Sequence, residues 1–269
     1  MIIIGERINS TRKGIREAIK ARNTALIVKE AVTQVAAGAE YVDVNCAVTS
    51  GDELQDIDWV ISVIQSEIPD VSICIDSPNY LAIERALKVY TAKGNIIINS
   101  ITGEDARIRQ ILPLAIRNKT KLVALTMDSS GMPETADQRF EIAARIYDRV
   151  RREGFPPGDL YFDALIRPVS TEPAQAQEFL RSIPIIKRLD GANTVCGLSN
   201  VSYGLPNRAV INATFLAMAV QAGLDAAILD PTDRLVTSSI AASRVITCRD
   251  GYCADYIKAF RAGKLIQAV

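Results

Sequence analysis

Carboxylates and amides stand at the ends of short apolar runs along this chain. Asp43 lies between Val42 and Val44, and Asp163 follows Tyr161-Phe162. Burial of a carboxylate beside apolar residues is costly unless a hydrogen-bond donor compensates it. Such positions predict a binding site for a ligand that brings its own N–H groups. In chain order the polar strand ends are Glu6, Asp43 with Asn45, Asp76, Asn99, Thr126, Asp163, Asn200 and Asp230.

The segment 197–208, GLSNVSYGLPNR, contains the most informative of these groups. A short apolar run, Thr194–Leu198, leads into it, and an Ala-rich helical stretch follows. Asn200 is therefore predicted to lie where a strand meets a loop, the position at which barrel enzymes place their catalytic groups. Turn chemistry alone also favours Asp, Asn and Ser at such junctions, and it accounts for part of the set.

The chain contains no histidine. This excludes the commonest general base, the commonest zinc ligand and every nucleophile that a histidine activates. Catalysis would therefore depend on carboxylates, amides, Arg, Lys and a bound substrate or cofactor. Cys248 and Cys253 are five residues apart, but no second cysteine pair completes a zinc-type set. We therefore predict no protein-bound metal.

Bulk composition indicates one soluble domain that binds neither nucleic acid nor a membrane. The 31 basic residues balance 31 acidic ones, so neither nucleic acid nor an anionic membrane would attract the chain. The most apolar window, 209–229, is interrupted by Asn212, Gln221 and Asp225, which disfavours a membrane span. The opening run Ile2–Ile4 is too short for a signal sequence, and scattered cysteines are typical of a reducing compartment. We expect a cytoplasmic protein.

Short β-rich runs alternate regularly with stretches of helical periodicity, and helix-start signals occur at Ser77-Pro78, Thr135 and Pro206-Asn207. This pattern predicts a (β/α)8 TIM barrel that spans residues 1–269 as one domain, with the polar strand ends on one face. A doubly wound open sheet is the alternative, but no G-x-G-x-x-G follows the first strand. The predicted strands are Ile2–Ile4, Tyr41–Asn45, Ser72–Asp76, Asn95–Asn99, Leu122–Thr126, Leu160–Asp163, Thr194–Leu198 and Ala226–Leu229.

Several motifs extend over nearly the whole chain. They are GERIN at 5–9, CIDS at 74–77, INS at 98–100, LTM at 125–127, LYFD at 160–163, GLSNVS at 197–202, NR at 207–208, TFLAMA at 214–219 and GLDAA at 223–227. In these motifs the chain resembles the methyltetrahydrofolate:corrinoid protein methyltransferases. These are pterin-binding barrels related to the folate domain of cobalamin-dependent methionine synthase.

The resemblance implies that Asp76, Asn99 and Asp163 hold the pterin ring of the folate. A pterin presents a 2-amino group beside an N3–H, and a carboxylate can meet that edge with two hydrogen bonds, as it meets Arg. The predicted substrate-binding set is Asp43, Asp76, Asn99, Asp163, Ser199, Asn200 and Tyr203. Tyr203 stands where the related enzymes carry Gln, so the contact at this position is expected to differ.

The implied reaction moves the N5 methyl group between 5-methyltetrahydrofolate and the cobalt of a corrinoid. Asn200 would lie near N5, where its amide donates a hydrogen bond that strengthens as charge develops. An amide does not ionise, so we expect the proton to come from water through a network that includes Asp163 and Arg208. These are the three predicted catalytic residues, although Arg208 is equally explained as a charge at the start of a surface helix.

The resemblance also implies partners. Without a histidine the chain has no lower ligand for cobalamin, and a corrinoid domain would add length well beyond 269 residues. The corrinoid is therefore expected on a separate corrinoid protein that docks transiently over the barrel mouth. A homodimer is implied by the resemblance alone.

Other functions remain open. Dihydropteroate synthase shares the barrel and its pterin-binding carboxylates, but it typically carries a GGxSTRP loop after strand two and a Lys near strand seven. Here those strands end in VNC at 44–46 and SN at 199–200. A non-catalytic folate-binding subunit that docks a corrinoid protein is the second alternative. A phosphosugar barrel is disfavoured because no Lys lies within predicted strands six or seven.

Overall fold

The computed structural model describes residues 1–49 and 51–266. Within them, parallel strands close into a barrel in chain order, with β8 paired to β1. The strands are β1 (Ile2–Asn9), β2 (Tyr41–Asn45), β3 (Ile73–Asp76), β4 (Ile96–Ile101), β5 (Lys121–Leu125), β6 (Leu160–Asp163), β7 (Asn193–Gly197) and β8 (Ala226–Leu229). The predicted TIM barrel is confirmed.

Helices surround this barrel. They are α1 (Lys13–Lys20), α2 (Thr24–Ala36), α3 (Glu53–Glu67), α4 (Tyr80–Val89), α5 (Asp105–Asn118), α6 (Ala136–Arg152), α7 (Gln175–Ile186), α8 (Arg208–Ala222), α9 (Arg234–Ile246) and α10 (Ala254–Arg261). Apolar side chains fill the space between helices and strands. In the described part of the chain, none of the helices has the length and apolar character that a membrane crossing requires.

Two of the three predicted helix-start signals, Thr135 and Pro206-Asn207, lie at the starts of α6 and α8. Thr135 is the N-cap of α6, and it forms a capping box with Gln138. The Ser77-Pro78 signal is early, because Asn79 caps α4 by accepting the Leu81 N–H. At the end of β7, Leu198 begins a short 3-10 turn rather than extending the strand.

One side chain from each strand packs inside the barrel. This apolar layer consists of Ile4, Tyr41, Cys74, Ile97, Val123, Tyr161, Val195 and Ala226. Alternate residues of a strand point to the same side, so the next inward position lies two residues closer to the carboxyl end. Those positions are Glu6, Asp43, Asp76, Asn99, Leu125, Asp163, Gly197 and Ile228. The alternation therefore directs most of the predicted polar residues into the barrel mouth.

Strand β1 is longer than predicted and carries a bulge. Its register to β2 shifts between the Gly5–Val42 and Ile8–Val44 pairs. The backbone N–H of Arg7 donates to Gln34 Oε1 of α2 at 2.9 Å, which compensates the interrupted ladder. Gly5 is required for this approach, because a Cβ at that position would lie 2.4 Å from Gln34 Oε1. The bulge therefore lies at Glu6 and Arg7.

We predict that Gly5→Ala destabilises the barrel by about 1–3 kcal/mol, because the added methyl group displaces Gln34 and leaves the Arg7 N–H without its acceptor. Urea unfolding at pH 7 measures this change. Gly14→Ala is the matched control. Gly14 lies in α1 with no atom within 4 Å of an added Cβ, so alanine there stabilises by up to ~1 kcal/mol. Equal stabilities for the two variants would contradict the bulge argument.

Candidate active site

Asp76 ends β3 at the mouth of the barrel. Asn45 at the end of β2 donates its Nδ2 hydrogen to Asp76 Oδ2 at 2.8 Å, and Asn99 of β4 lies opposite Asp76 in register. Burial raises the pKa of Asp76, while the Asn45 hydrogen bond and the charge of Arg107 act in the opposite direction. Asp76 and Asn99, predicted from separate motifs, are therefore brought side by side.

Asp43 lies in the middle of β2, in register with Cys74 of the neighbouring strand. It is buried, and within residues 1–49 and 51–266 its Oδ1 has no hydrogen-bond partner. Burial raises the pKa of Asp43 well above its ordinary value, and the charges of Asp76 and Glu6 raise it further. The Cys74 thiol acts in the other direction by hydrogen bonding to it. The unpartnered Oδ1 of Asp43 is thus an unused polar atom beside the mouth.

Asp163 ends β6. Its Oδ1 accepts the backbone N–H of Leu165 at 2.7 Å, and Leu165 adopts a left-handed φ of 59° to present that donor. Burial raises the pKa of Asp163 to about 6, against the smaller lowering by the Leu165 and Gly197 N–H groups. This carboxyl therefore titrates close to neutral pH.

Asn200 ends the 3-10 turn Leu198–Asn200 that follows β7. A Cβ at Gly197 would lie 3.0 Å from Asn200 Nδ2, so the amide lies against the end of the strand, where only glycine leaves room. Asn200 is exposed. The neighbouring Ser199 hydroxyl donates to Glu6 Oε1 at 2.6 Å. The structure thus places an accessible amide donor at the same mouth as the carboxylates.

A cavity of about 360 Å³ opens above the ends of β1, β7 and β8. It is lined by Glu6, Arg7, Asn9, Thr11, Arg12, Ser199, Asn200, Arg208 and Asp230. Ser199, Asn200 and Arg208 are the predicted site residues in its wall. On the remaining side, Asp76 and Asp163 end their strands, while Asp43 and Asn99 lie two residues before the ends of β2 and β4. The site therefore has an acidic half beside a half that is rich in amides and arginine.

Three arginines near helix starts hold the loops around the mouth, namely Arg107 of α5, Arg139 of α6 and Arg208 of α8. The guanidinium group of Arg107 donates to the carbonyls of Ser77, Pro78 and Ser100. That of Arg139 donates to the carbonyls of Glu134 and Ala164, and that of Arg208 donates to the carbonyl of Ser199. Arg139 is fully buried and also donates to Gln175 Oε1 at 2.6 Å. The loops are therefore fixed by backbone acceptors, which leaves the mouth carboxylates for a ligand.

Three further residues of the predicted sets have contacts of their own. Thr126 is buried, and its hydroxyl donates to the Asp163 carbonyl rather than facing the mouth. Asp230 accepts from the Arg7 guanidinium at 2.8 Å. Tyr203 is 67% exposed at the rim, with the Arg208 guanidinium 6.0 Å from its ring centroid.

The contribution of Glu6 was missed from the predicted site residues. Glu6 lies two residues after the inward-facing Ile4, and this period of two was the available signal. Its bond to Ser199 had no signal in the sequence. In the described part of the chain, no group of three or more Cys, Asp or Glu side chains is arranged to hold a metal ion.

The closed barrel presents buried carboxylates and amide donors at one mouth, and the family match shows the class of enzyme to which it belongs. Residues 5–230 match the family described as "Pterin binding enzyme", and the chain belongs to that family.

Within the family the chain is a methyltransferase. It is 32% identical to the methylcorrinoid:tetrahydrofolate methyltransferase of Eubacterium limosum, across 98% of both chains. It is also 29% identical to the methionine synthase of Mycobacterium tuberculosis, across 85% of this chain and 20% of that protein. The resemblance drawn from the motifs is confirmed.

Solved structures of dihydropteroate synthases share the fold. The enzyme from Thermus thermophilus superposes with a TM-score of 0.64 at 19% identity, covering 81% of this chain and 88% of that one. The enzyme from Xanthomonas albilineans superposes with a TM-score of 0.68 at 15% identity, covering 93% of each chain. At these identities the likeness extends to the fold alone.

The raised pKa of Asp163 makes stability depend on pH. Between its ordinary value of 3.8 and about 6, the folded protein keeps a proton that the unfolded chain has released. The contribution of Asp163 to the free energy of unfolding is therefore fully present below about pH 4, and it is lost as the pH rises through about 6. We predict that Asp163→Asn, which cannot titrate, gains stability relative to the native protein by on the order of 1–3 kcal/mol from pH 4 to pH 7.

Urea unfolding at steps of one pH unit measures this difference. Asp128→Asn is the control with the opposite sign, because hydrogen bonds from Ser130 lower the pKa of Asp128. Its destabilisation should increase as the pH rises from 3. A stability difference between Asp163→Asn and the native protein that does not change with pH would contradict the raised pKa of Asp163.

Proposed function

We propose that this methyltransferase moves the N5 methyl group between 5-methyltetrahydrofolate and the cobalt of a corrinoid that a separate protein carries. The observation that carries this proposal is the meeting of Asp76 and Asp163 with the exposed Asn200 amide at one barrel mouth. The carboxylates of Asp76 and Asp163 suit the N–H donors of a pterin edge. The Asn200 amide suits a nitrogen atom that gains charge during the reaction. The name of the Eubacterium limosum relative supports the same pair of substrates.

The acidic half of the mouth fits a pterin for electrostatic reasons. Burial raises the pKa values of Asp76 and Asp163 because their ionised forms lack enough donors. The 2-amino and N3–H groups of a pterin would supply donors, so binding favours the ionised carboxylates. The Asn99 amide, in register with Asp76, can both donate to a ring carbonyl and accept from a ring N–H. In this proposal, the unpaired Oδ1 of Asp43 adds an acceptor below the ring plane.

Asn200 acts on the reacting end of the substrate. The Asn200 Nδ2 lies against Gly197, and the Gly197 N–H lowers the pKa of Asp163 by hydrogen bonding to its carboxyl. In this proposal the amide therefore lies beside the carboxylate that binds the ring. We infer that the amide donates a hydrogen bond to N5, and that this bond strengthens as the C–N bond breaks. The amide keeps its own protons. We infer that water held by Asp163 and Arg208 supplies the proton that N5 gains.

The corrinoid partner would dock over the mouth, where Asn200 and Tyr203 are exposed. Reduced cobalt is the nucleophile that the partner supplies. The chain orients the methyl group toward it from inside the barrel and excludes water from the pterin edge. The five cysteines are free, which agrees with the reducing cytoplasm in which we infer that the enzyme works.

We predict that Asn200→Ala lowers the rate of methyl transfer from 5-methyltetrahydrofolate to cob(I)alamin roughly 100- to 1000-fold, while the Kd for folate changes little. The assay follows loss of the cobalt(I) absorbance under anaerobic conditions. Asn193→Ala is the matched control. This amide begins β7, at the end of the strand away from the Asn200 turn, and donates to the Gly158 carbonyl, so its removal should leave the rate unchanged.

The alternatives give different results in the same assay. Folate binding without transfer, also with corrinoid-loaded partner proteins, would indicate a non-catalytic folate-binding subunit. Absence of folate binding would refute the proposal. A dihydropteroate synthase would condense a pterin pyrophosphate with 4-aminobenzoate, but the chain lacks the loop and lysine motifs typical of that enzyme at strands two and seven.

We further infer that the protein is a homodimer. An apolar groove between α7, α8 and α9 is lined by Leu180, Ala217, Met218, Ala222 and Ile246 among others, with a volume of about 600 Å³. Met218 is 52% exposed and Ile246 is 78% exposed. Exposed apolar surface of this kind is typical of interaction sites. This groove is on the outside of the barrel, so a second copy there leaves the mouth free for a corrinoid protein.

We predict that Met218→Asp and Ile246→Asp shift the protein from dimer to monomer, because each places a charge in the apolar contact. Size-exclusion chromatography with light scattering measures the mass. Met132→Asp is the matched control, since Met132 is 51% exposed in the loop before α6. A native protein that is monomeric at micromolar concentration would contradict the inference.

A further inference from the structure

We propose that Glu6 is a positioning residue that fixes Asn200 through Ser199, with Arg208 as the second support. The proposal rests on the function inferred above for Asn200. Glu6 has no part in the substrate contacts inferred from the motifs. Within residues 1–49 and 51–266, the only hydrogen bond of the Glu6 carboxylate is the one it accepts from the Ser199 hydroxyl, at 2.6 Å.

The hydrogen bond between Glu6 and Ser199 crosses the part of the barrel where β8 closes onto β1. Glu6 belongs to β1 and Ser199 follows β7, and β8 lies between these two strands. Alternation from Ile4 directs Glu6 inward, and the bulge in β1 lies at this residue, between Gly5 and Ile8. Bulges beside active sites adjust the aim of side chains. The features that produce the bulge are the close approach of Gln34 to Gly5 and its bond to the Arg7 N–H.

Ser199 is held from two directions. Glu6 binds its hydroxyl, while Arg208 donates from Nη2 to its carbonyl at 2.5 Å. The Arg208 Nε also donates to the Ser202 hydroxyl at 3.0 Å, on the other side of Asn200. The residue before Asn200 and the residue two places after it are thus anchored to β1 and α8. In the described residues no hydrogen bond holds the Asn200 side chain itself, so its placement depends on these anchors.

This dependence matters because an amide aids catalysis only when it is already aimed at the reacting atom. A displacement of about 1 Å can cost roughly 100-fold in rate. Burial raises the pKa of Glu6, while the Ser199 and Arg208 contacts favour its ionised form. Positioning needs only an acceptor at Oε1, which an amide oxygen also provides. Glu6→Gln therefore keeps the anchor, and Glu6→Ala removes it.

The test is a double-mutant cycle in the full-length protein with Glu6→Ala, Ser199→Ala and the pair, together with Glu6→Gln. We expect each alanine variant to lower kcat for methyl transfer at least 10-fold with KM for 5-methyltetrahydrofolate within about 3-fold. The pair should be no slower than the slower single variant, because both remove one bond. Glu6→Gln should retain kcat within about 3-fold, with an unchanged pH profile.

Amide hydrogen exchange provides a readout that needs no activity. The Val201 N–H donates to the Leu198 carbonyl at 3.2 Å, and the Tyr203 N–H donates to the Asn200 carbonyl at 3.2 Å. Both amides should exchange faster in Glu6→Ala and Ser199→Ala, but not in Glu6→Gln. This result would support the anchor even if the native protein fails to transfer methyl groups, which would overturn the proposed function alone.

Three results would overturn the positioning role. Equal losses in Glu6→Gln and Glu6→Ala would show that the acid or its charge is needed. Additive losses in the pair would show that Glu6 acts independently of Ser199. Unchanged exchange of the two turn amides in Glu6→Ala would show that the turn does not depend on Glu6.

Discussion

A closed barrel allows each strand only two directions for its side chains, into the interior or toward the helices. The interior of this barrel is occupied by one apolar side chain per strand, from Ile4 on β1 to Ala226 on β8. The next inward position on each strand therefore has neither room deeper inside nor a helix to cover it. It must face the mouth. The positions of Glu6, Asp43 and Asp163 follow from this alternation, and the remaining features of the site adapt to it.

The cost of this arrangement appears as desolvation. Burial raises the pKa values of four carboxyls because it disfavours their ionised forms; they are Glu6, Asp43, Asp76 and Asp163. A structure selected for stability alone would place apolar residues there. The acidic mouth is better explained by a ligand whose N–H groups compensate the carboxylates, which links local instability to binding. The apolar layer inside the barrel and the packing of the helices around it offset this local cost.

Strands were predicted closely because parallel barrel strands are continuous apolar runs between polar loops, as at Leu160–Asp163. The same local patterns identified Thr135 as a helix cap. The β1 bulge could not be predicted, because it depends on Gln34, which is distant in sequence and becomes a neighbour only after folding. The Glu6–Ser199 bond joins residues 193 positions apart, and neither type nor spacing indicates it. Sequence patterns thus identified the carboxylates and amides, but not the contacts that orient them.

The arginine contacts around the mouth have a consequence for divergence within the family. Arg107 and Arg139 hold neighbouring loops chiefly through main-chain carbonyls, which every residue type carries. A loop can therefore exchange its side chains over evolutionary time while its path is retained, provided that the arginine remains and the new residue tolerates the local backbone. New substrate contacts and partner preferences can arise on such loops without renewed optimisation of the barrel. Exchange of mouth loops between relatives is accordingly a practical route to altered specificity, with these arginines kept as the fixed frame.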